Sequence, residues 1–213
     1  MDNYVITIAR GFGSGGKEIG IRLGKKLGIP CYEKQILQMA SDYSGLNELL
    51  FEKADEKVTG KKVAIALHNF PDTNHIVEPY QKDFVSDVNL FNIQAEIIRK
   101  LSRTESCIII GKCAHHILKG CSNVVSVYVE APREACRKTV MERLDVTDQE
   151  ADRMIYQTDK YRADYYSYYS GGGHWTDPVA YDITLNSQRI GYDKCVELIA
   201  DLKDLKLQGK GTK

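Results

Sequence analysis

Residues 4–27 read YVITIARGFGSGGKEIGIRLGKKL, and this stretch contains the pattern that decides the fold. The apolar run 4–9 is typical of a buried strand, and the glycine-rich segment 11–17 follows it directly. After that segment an apolar residue recurs at every fourth position up to Leu27, which is the spacing of one helix face. A strand, a glycine loop and a helix in this order form the context in which G-x-x-x-x-G-K binds phosphate.

The residue types in this loop suit an anion. Glycines allow the backbone to curl so that successive N–H groups point inward, and the helix N-terminus adds partial positive charge at the same place. Lys17 adds a mobile full charge for the terminal phosphates. We therefore predict that the loop binds ATP through Gly11, Phe12, Gly13, Ser14, Gly15, Gly16, Lys17 and Glu18.

One position departs from the phosphate-loop pattern. The residue after the lysine is normally Ser or Thr, whose hydroxyl binds Mg²⁺. Here Glu18 and Ile19 follow Lys17, so no hydroxyl is available. The sequence therefore predicts that Mg²⁺, if it accompanies ATP, is bound differently.

Composition excludes several classes of partner. The chain has 29 basic and 29 acidic residues, so no overall field for nucleic acid or a membrane surface is expected. Its six cysteines form no C-x-x-C pair and no metal-ligand spacing, which favours reduced, structural cysteines in a cytoplasmic protein. We recognise no signal peptide and no apolar stretch of the ~20 residues that would span a bilayer.

Strand-like and helix-like segments alternate along the chain, which predicts an α/β fold with a parallel sheet covered by helices on both faces. The five predicted strands lie at 4–9, 30–32, 107–111, 124–130 and 181–185. Ligands bind at the carboxyl ends of such strands. We expect one domain over residues 1–207, with an insertion or flap at about 55–85 and a disordered tail at 208–213.

Residues 159–187 are rich in aromatic side chains and contain a run of three glycines. Two interpretations remain open: the tyrosines pack on a neighbouring element, or they form a base-stacking or lid surface. Asp159 and Arg162 share a helix face because they are three residues apart, so they could contact a substrate instead of each other. His115 and His116 are adjacent and do not share a helix face, which favours structural or exposed histidines over a metal site.

Most of the chain resembles the cytidylate kinase-like family of P-loop proteins. The similar segments are ITIARGFGSGGKEIG, GIPCYEKQIL, CIIIGKCAHHIL, VYVEAPRE with VMERL, and DKYRADYYSYYSGGGHW with DPVAYDITLNS. The resemblance implies a three-layer P-loop NTPase fold with strand order 2-3-1-4-5 and a lid-like segment at about 144–178. It also implies phosphoryl transfer from ATP with Mg²⁺ to a small acceptor, for which a nucleoside monophosphate such as CMP is favoured.

The resemblance also suggests roles for individual residues. Lys17, Arg162 and Arg137 are the candidate catalytic residues, and Asn186 falls where the base of the donor nucleotide normally lies. The candidate acceptor-binding residues are Glu33, Lys34, Lys112, Asp159 and Arg162.

The chain departs from true cytidylate kinases at two strand ends. Tyr32-Glu33-Lys34-Gln35 stands in place of L-D-S-G, and Gly111-Lys112-Cys113-Ala114 stands in place of D-G-R-D, so the acid after the third strand is missing. The arginines that relatives carry near positions 136 and 139 are also missing, and Arg133, Arg137 or Arg143 could substitute.

These departures leave two alternatives to the kinase hypothesis. The chain could bind nucleotide without turnover, as a regulator or sensor, or it could transfer phosphate to a non-nucleotide acceptor. A homodimer is possible through the helix at 90–103 or through the insertion, but the sequence does not decide this.

Overall fold

The computed structural model describes residues 3–56, 72 and 74–208. Its centre is a parallel sheet with strands in the order β2-β3-β1-β4-β5. The strands are β1 (Val5–Arg10), β2 (Cys31–Tyr32), β3 (Cys107–Ile110), β4 (Val124–Glu130) and β5 (Ile183–Asn186). The predicted fold class and strand order are therefore confirmed, and the predicted strands differ from the observed ones by a few residues at their ends.

Strand β1 lies in the middle of the sheet because its side chains are apolar on both faces. Ile8 is aligned with Ile110 of β3 on one side and with Val127 of β4 on the other. All three side chains are buried. This continuous burial is typical of parallel strands covered by helices on both faces.

Nine α-helices are described, and a short 3₁₀ turn at Pro178–Ala180 precedes β5. The helices are α1 (Gly16–Leu27), α2 (Gln35–Ser44), α3 (Glu48–Glu56), α4 (Asp87–Thr104), α5 (Ala114–Ile117), α6 (Arg133–Leu144), α7 (Asp148–Tyr169), α8 (Ser187–Ile190) and α9 (Tyr192–Gln208). None of the helices in the described part of the chain is both long and apolar enough to cross a membrane.

Two apolar cores lie on opposite faces of the sheet. One contains residues of α2, α3 and α4, including Phe51 and Ile93, which are fully or almost fully buried. The other contains α1 and α9, where Leu23 and Ile199 belong to the same buried cluster. The sheet is therefore the middle of three layers.

Helix α7 begins with the predicted capping box: the Thr147 side chain accepts from the Glu150 N–H, and the Glu150 side chain accepts from the Thr147 N–H. The helix ends at Tyr169, just before Gly171 and Gly172, which adopt the left-handed conformation at φ 73° and 92°. These two signals fix the length of α7.

Aromatic side chains form a buried layer beneath α7. Phe91 and Tyr169 stack with ring centroids 3.8 Å apart. The residues Tyr165, Tyr166, Tyr169, Trp175 and Tyr181 are each at most 8% exposed. The packing interpretation therefore holds for these residues.

His115 is part of this aromatic layer. Its imidazole lies 4.9 Å from the Tyr166 ring and 4.6 Å from the Tyr181 ring, measured between centroids. Burial, with a smaller contribution from the charge of His116, lowers the pKa of His115 to about 3. His115 is therefore neutral at physiological pH.

The predicted insertion at 55–85 lies partly outside the described residues, because residues 57–71 and 73 are not among them. Its described end is tied to α4. The Asn92 side chain donates to the His75 carbonyl at 2.5 Å, and the Asn89 side chain accepts from the Val77 N–H at 2.7 Å.

The turn after β3 has an unusual backbone. Gly111, Lys112 and Cys113 are all left-handed, with φ of 75°, 55° and 53°. A Cβ atom on Gly111 would lie 2.2 Å from Nη1 of Arg10, so the missing side chain leaves room for that guanidinium. Lys112 and Cys113 have side chains that disfavour this conformation, and such strain tends to cluster at functional sites.

We predict that Gly111→Ala destabilises the protein more than Gly120→Ala does. Both glycines are left-handed, so each substitution costs about 1–2 kcal/mol in backbone strain. Nothing lies within 4 Å of a Cβ at Gly120, whereas a Cβ at Gly111 pushes Arg10 away and should cost at least about 1 kcal/mol more. Urea unfolding of both variants measures the difference, and equal losses would contradict this account of the turn.

We also predict that His115→Phe makes stability less sensitive to acid. The pKa of His115 in the folded protein is about 3, below the ordinary value of ~6.5. The contribution of neutral His115 to the free energy of unfolding is therefore complete above pH ~6.5 and is lost as the pH falls toward 3. The limiting slope is about 1.4 kcal/mol per pH unit. Urea unfolding between pH 7 and 4 should show a smaller slope for the variant. Exposed His174→Phe is the control, and parallel wild-type and His115→Phe profiles would refute the prediction.

Candidate active site

A cavity of about 890 Å³ opens at the carboxyl ends of β1 and β3. The glycine loop forms one wall, and side chains of α2, α3, α6 and α7 complete it. Six cationic side chains line the cavity: Arg10, Lys17, Lys34, Lys112, Arg143 and Arg162. Two carboxylates, Glu33 and Glu52, also line it. The surface is therefore strongly suited to an anion.

The glycine loop has a fixed conformation. Gly13 and Gly15 are left-handed, with φ of 85° and 81°, and α1 begins directly after Gly15. Ser14 is buried, and its hydroxyl donates to the Gly11 carbonyl at 2.9 Å. Ser187 donates to the Ser14 carbonyl at 2.6 Å, so the turn after β5 braces the loop.

Glu33 connects the loop to the neighbouring strand end. Its Oε2 lies 2.5 Å from Nζ of Lys17, and its Oε1 accepts from Nη2 of Arg10 at 2.9 Å. Burial alone would raise the pKa of Glu33, but Lys17 and Arg10 together lower it. The carboxylate is therefore ionised at neutral pH and pairs with both cations, which leaves the three side chains with one net positive charge.

Asp159 and Arg162 fasten α7 to the loop. Asp159 accepts from the Phe12 N–H at 2.8 Å, and Arg162 donates to the Arg10 carbonyl at 3.0 Å. The two side chains also contact each other at 3.3 Å, and the Arg162 guanidinium lies 5.6 Å from the centre of the Phe12 ring. The predicted pair therefore bonds to the phosphate loop itself as well as to each other.

Burial shifts the pKa values of this pair in opposite directions. Burial raises the pKa of Asp159, although the Phe12 N–H and Arg162 oppose the shift. Burial, followed by the charge of Arg10, lowers the pKa of Arg162 to about 10. Arg162 remains protonated at neutral pH and can donate charge-assisted hydrogen bonds to a phosphate.

Glu130, at the end of β4, is an acid near the loop that sequence reasoning missed. Its Oε2 accepts from the Tyr128 hydroxyl at 2.6 Å, and its Oε1 accepts from the Ala131 N–H at 2.9 Å. A Cβ on Gly11 would lie 2.2 Å from Oε1, so Gly11 is needed for this packing. Both oxygens of Glu130 are therefore engaged with groups at the end of β4, next to Gly11.

The structure brings most of the predicted site residues to one cavity. Those that line it are Gly11, Phe12, Gly13, Gly15, Gly16, Lys17, Glu33, Lys34, Lys112 and Arg162. Ser14 and Asp159 contribute through the bonds to the loop that are given above.

Besides Ser14 and Asp159, three predicted residues do not line the cavity. Glu18 pairs with Arg22 one helical turn along, at 2.8 Å. Arg137 pairs with Asp148 at 3.1 Å. The Asn186 side chain accepts from the Arg189 N–H and caps α8. In each case a local polar partner holds the side chain outside the cavity.

Other residues reach the cavity without having been predicted as site residues. Arg10 is the last residue of β1, and nothing in the sequence marks where its side chain points. Arg143, which we considered as a substitute for a missing arginine, lines the cavity from the end of α6. The remaining aromatic wall consists of Tyr161, Tyr165, Tyr166, Trp175 and the ring of His115.

The donor set can be compared with the needs of Mg²⁺. Within the described residues, no group of three or more His, Cys, Asp or Glu side chains could hold a metal ion. Mg²⁺ in nucleotide sites usually keeps several waters and takes one or two carboxylates together with substrate phosphates. Glu33, next to Lys17, fits this partial role.

Comparison with known proteins agrees with the geometry. The model of the cytidylate kinase-like family matches residues 5–189. No curated protein is similar enough to this sequence to count as a match.

Two solved structures have the same fold. An uncharacterized protein from Eubacterium ventriosum ATCC 27560 is 27% identical, with a TM-score of 0.68, and the match covers 95% of this chain and 99% of that one. A gluconokinase from Sinorhizobium meliloti 1021 is 11% identical, with a TM-score of 0.50, and the match covers 97% of each chain. The second similarity concerns the fold alone. The chain has the fold of the P-loop kinases and belongs to the cytidylate kinase-like family.

Proposed function

We propose that this protein transfers the γ-phosphoryl group of ATP to a small phosphorylated acceptor, with a nucleoside monophosphate such as CMP as the first candidate. The observation that carries the proposal is the convergence of the phosphate loop, Lys17 and Arg162 on one cavity. Phosphoryl transfer depends mainly on positioning and charge neutralisation, and these residues can supply both.

Charge balance favours an acceptor that carries phosphate. The six cationic and two carboxylate side chains that line the cavity, together with Asp159 beside Arg162, leave a formal surplus of three positive charges. Mg-ATP would neutralise about two of these charges. A phosphate monoester carries a charge of about −1.5 to −2 at neutral pH, so a phosphorylated acceptor would neutralise the remainder. An uncharged acceptor would leave it unbalanced.

The aromatic wall favours a planar group at the other end of the acceptor. Tyr161, Tyr165, Tyr166 and Trp175 line the cavity beside the cationic region. The last three are largely packed in the buried aromatic layer, whereas Tyr161 is only half-buried and is the ring most open to a ligand. Aromatic side chains stack well against nucleobases. A base bound there would lie at the end of the acceptor that does not react. A nucleoside monophosphate combines a phosphate and a planar base in one molecule.

Different residues of the chain have different roles in the phosphoryl transfer. The loop N–H groups and Lys17 bind the β- and γ-phosphates, and Arg162 neutralises charge on the group in transit. Helix α7, bonded to the loop through Asp159, covers the site and excludes water. Mg²⁺, when bound with ATP, would supply Lewis-acid stabilisation of the negative charge on the phosphate groups.

A second candidate function is nucleotide binding without turnover. The observation in its favour is the Glu33 carboxylate, which contacts Lys17 where a phosphate would be expected. Transfer to a non-nucleotide acceptor is the third possibility.

The acceptor panel is the first test. We predict that wild-type protein releases ADP from Mg-ATP in the presence of one or more of CMP, dCMP, UMP, AMP and GMP, and not with cytidine or gluconate. Release should disappear in Lys17→Ala and persist in Lys26→Ala, because Lys26 pairs with Glu197 on the surface. ATP binding without acceptor-dependent release would favour the sensor, whereas release with gluconate alone would favour a non-nucleotide acceptor.

We also predict that Arg162→Ala lowers kcat by roughly 10²–10³-fold while changing ATP affinity much less. The reason is that its charge is used mainly when the phosphoryl group is in transit. Arg133→Ala is the control, because Arg133 forms an exposed pair with Asp152. Steady-state kinetics and calorimetry separate the two quantities, and an equal loss in both would show that Arg162 only binds ATP.

A further inference from the structure

The positions that usually supply a protein ligand for Mg²⁺ in a phosphate-loop protein carry other residues in this chain. The phosphate loop lacks the hydroxyl that usually follows its lysine, since Glu18 stands there and turns away to Arg22 at 2.8 Å. The end of β3 offers Gly111 and Lys112 in place of an acid. Neither of the two usual sources of a magnesium ligand is therefore present.

The other acids near the loop are engaged elsewhere. Glu130 accepts hydrogen bonds with both of its oxygens, from Tyr128 and from Ala131. Asp159 accepts from the Phe12 N–H and contacts Arg162. Of the two carboxylates that line the cavity, Glu33 is the one in contact with Lys17.

The position of Glu33 is also fixed by Arg10, whose side chain is only 16% exposed. Arg10 donates to Oε1 at 2.9 Å, and its guanidinium occupies the space left by the missing side chain of Gly111. Oε2 is the oxygen that faces Lys17. If Lys17 turns to a phosphate, Oε2 loses that partner while Arg10 still orients the carboxylate.

We propose that Glu33 is the protein ligand for the Mg²⁺ that accompanies ATP, taking the place of the missing hydroxyl and of the missing acid after β3. This inference rests on the proposed function only in that ATP is the nucleotide. In the ligand-free state the same carboxylate pairs with Lys17 and competes with phosphate. With Mg-ATP, Lys17 binds phosphate and Glu33 binds the metal, directly or through one of its waters.

Glu33 therefore has opposite effects on the two forms of ATP. Without metal, its negative charge competes with the triphosphate for Lys17, so removing the charge should tighten binding. With metal, its oxygen is a ligand, so removing the charge should reduce the benefit of adding Mg²⁺. A carboxylate that only competes would give the first effect without the second.

The test is calorimetric titration of ATP into the full chain, once with Mg²⁺ and once with EDTA. The ratio of the two affinities is the readout, and no turnover is needed. The variants are Glu33→Gln, which keeps the shape of the side chain, and Glu33→Asp, which keeps the carboxylate. Glu52→Gln is the matched control, because it removes the same charge from another position in the lining of the same cavity, on α3.

We expect Glu33→Gln to bind metal-free ATP more tightly than wild type, and its gain from Mg²⁺ to fall by on the order of tenfold or more. Glu52→Gln should keep the wild-type ratio, and Glu33→Asp should recover part of it. An unchanged ratio in Glu33→Gln would overturn the proposal and leave Glu33 as a competing anion only. An equal drop in Glu52→Gln would overturn it as well, because the effect would then come from the general charge of the cavity.

The outcomes also separate this inference from the proposed function. A lowered ratio in Glu33→Gln, together with no acceptor-dependent turnover in wild type, would support the metal role and refute the kinase. Acceptor-dependent turnover in wild type, together with an unchanged affinity ratio in Glu33→Gln, would support the kinase and refute the metal role of Glu33. Failure of wild type to bind ATP under either condition would contradict both.

Discussion

The contact of the Glu33 carboxylate with Arg10 and Lys17 is the constraint on which the rest of the site depends. Two cations close together in a half-buried place repel each other, and burial of an unpaired charge is costly. Glu33, at 2.9 Å from one and 2.5 Å from the other, removes that cost. The missing side chain of Gly111 gives Arg10 the room to reach it. A loop that must bind phosphate can therefore remain folded and ordered while no phosphate is bound.

Helix α7 brings Asp159, Arg162 and several aromatic side chains to the phosphate loop. Its bonds run to backbone groups of the loop and of the strand end before it: Asp159 accepts from the Phe12 N–H, and Arg162 donates to the carbonyl of Arg10, the last residue of β1. The aromatic layer beneath the helix supplies rigidity, since Tyr169 stacks on Phe91 of α4. The helix therefore places one positive charge over the loop and an aromatic wall beside it. This arrangement can bind a molecule that is anionic at one end and planar at the other.

The sequence was sufficient for the fold because its signals are local and repeated. Apolar runs mark the strands, glycines mark the loop, and Thr147 with Glu150 marks the start of α7. The sequence did not reveal the direction in which individual side chains point. Arg137 and Arg143 both lie on α6 six residues apart, and only the packing of that helix decides that Arg143 faces the cavity while Arg137 meets Asp148. The role of Arg10 depends on Gly111, which is distant in sequence, so no local pattern could reveal it.

Transfer of label from [γ-³²P]ATP to a nucleoside monophosphate, with products separated by chromatography, tests the central claim most directly. The account predicts that label appears in a nucleoside diphosphate derived from the acceptor, that it requires Mg²⁺, and that it is absent when the acceptor lacks its phosphate. Label found only in inorganic phosphate, or retained in ATP by protein that binds ATP normally, would contradict the claim. The cavity would then serve nucleotide binding without transfer to such an acceptor.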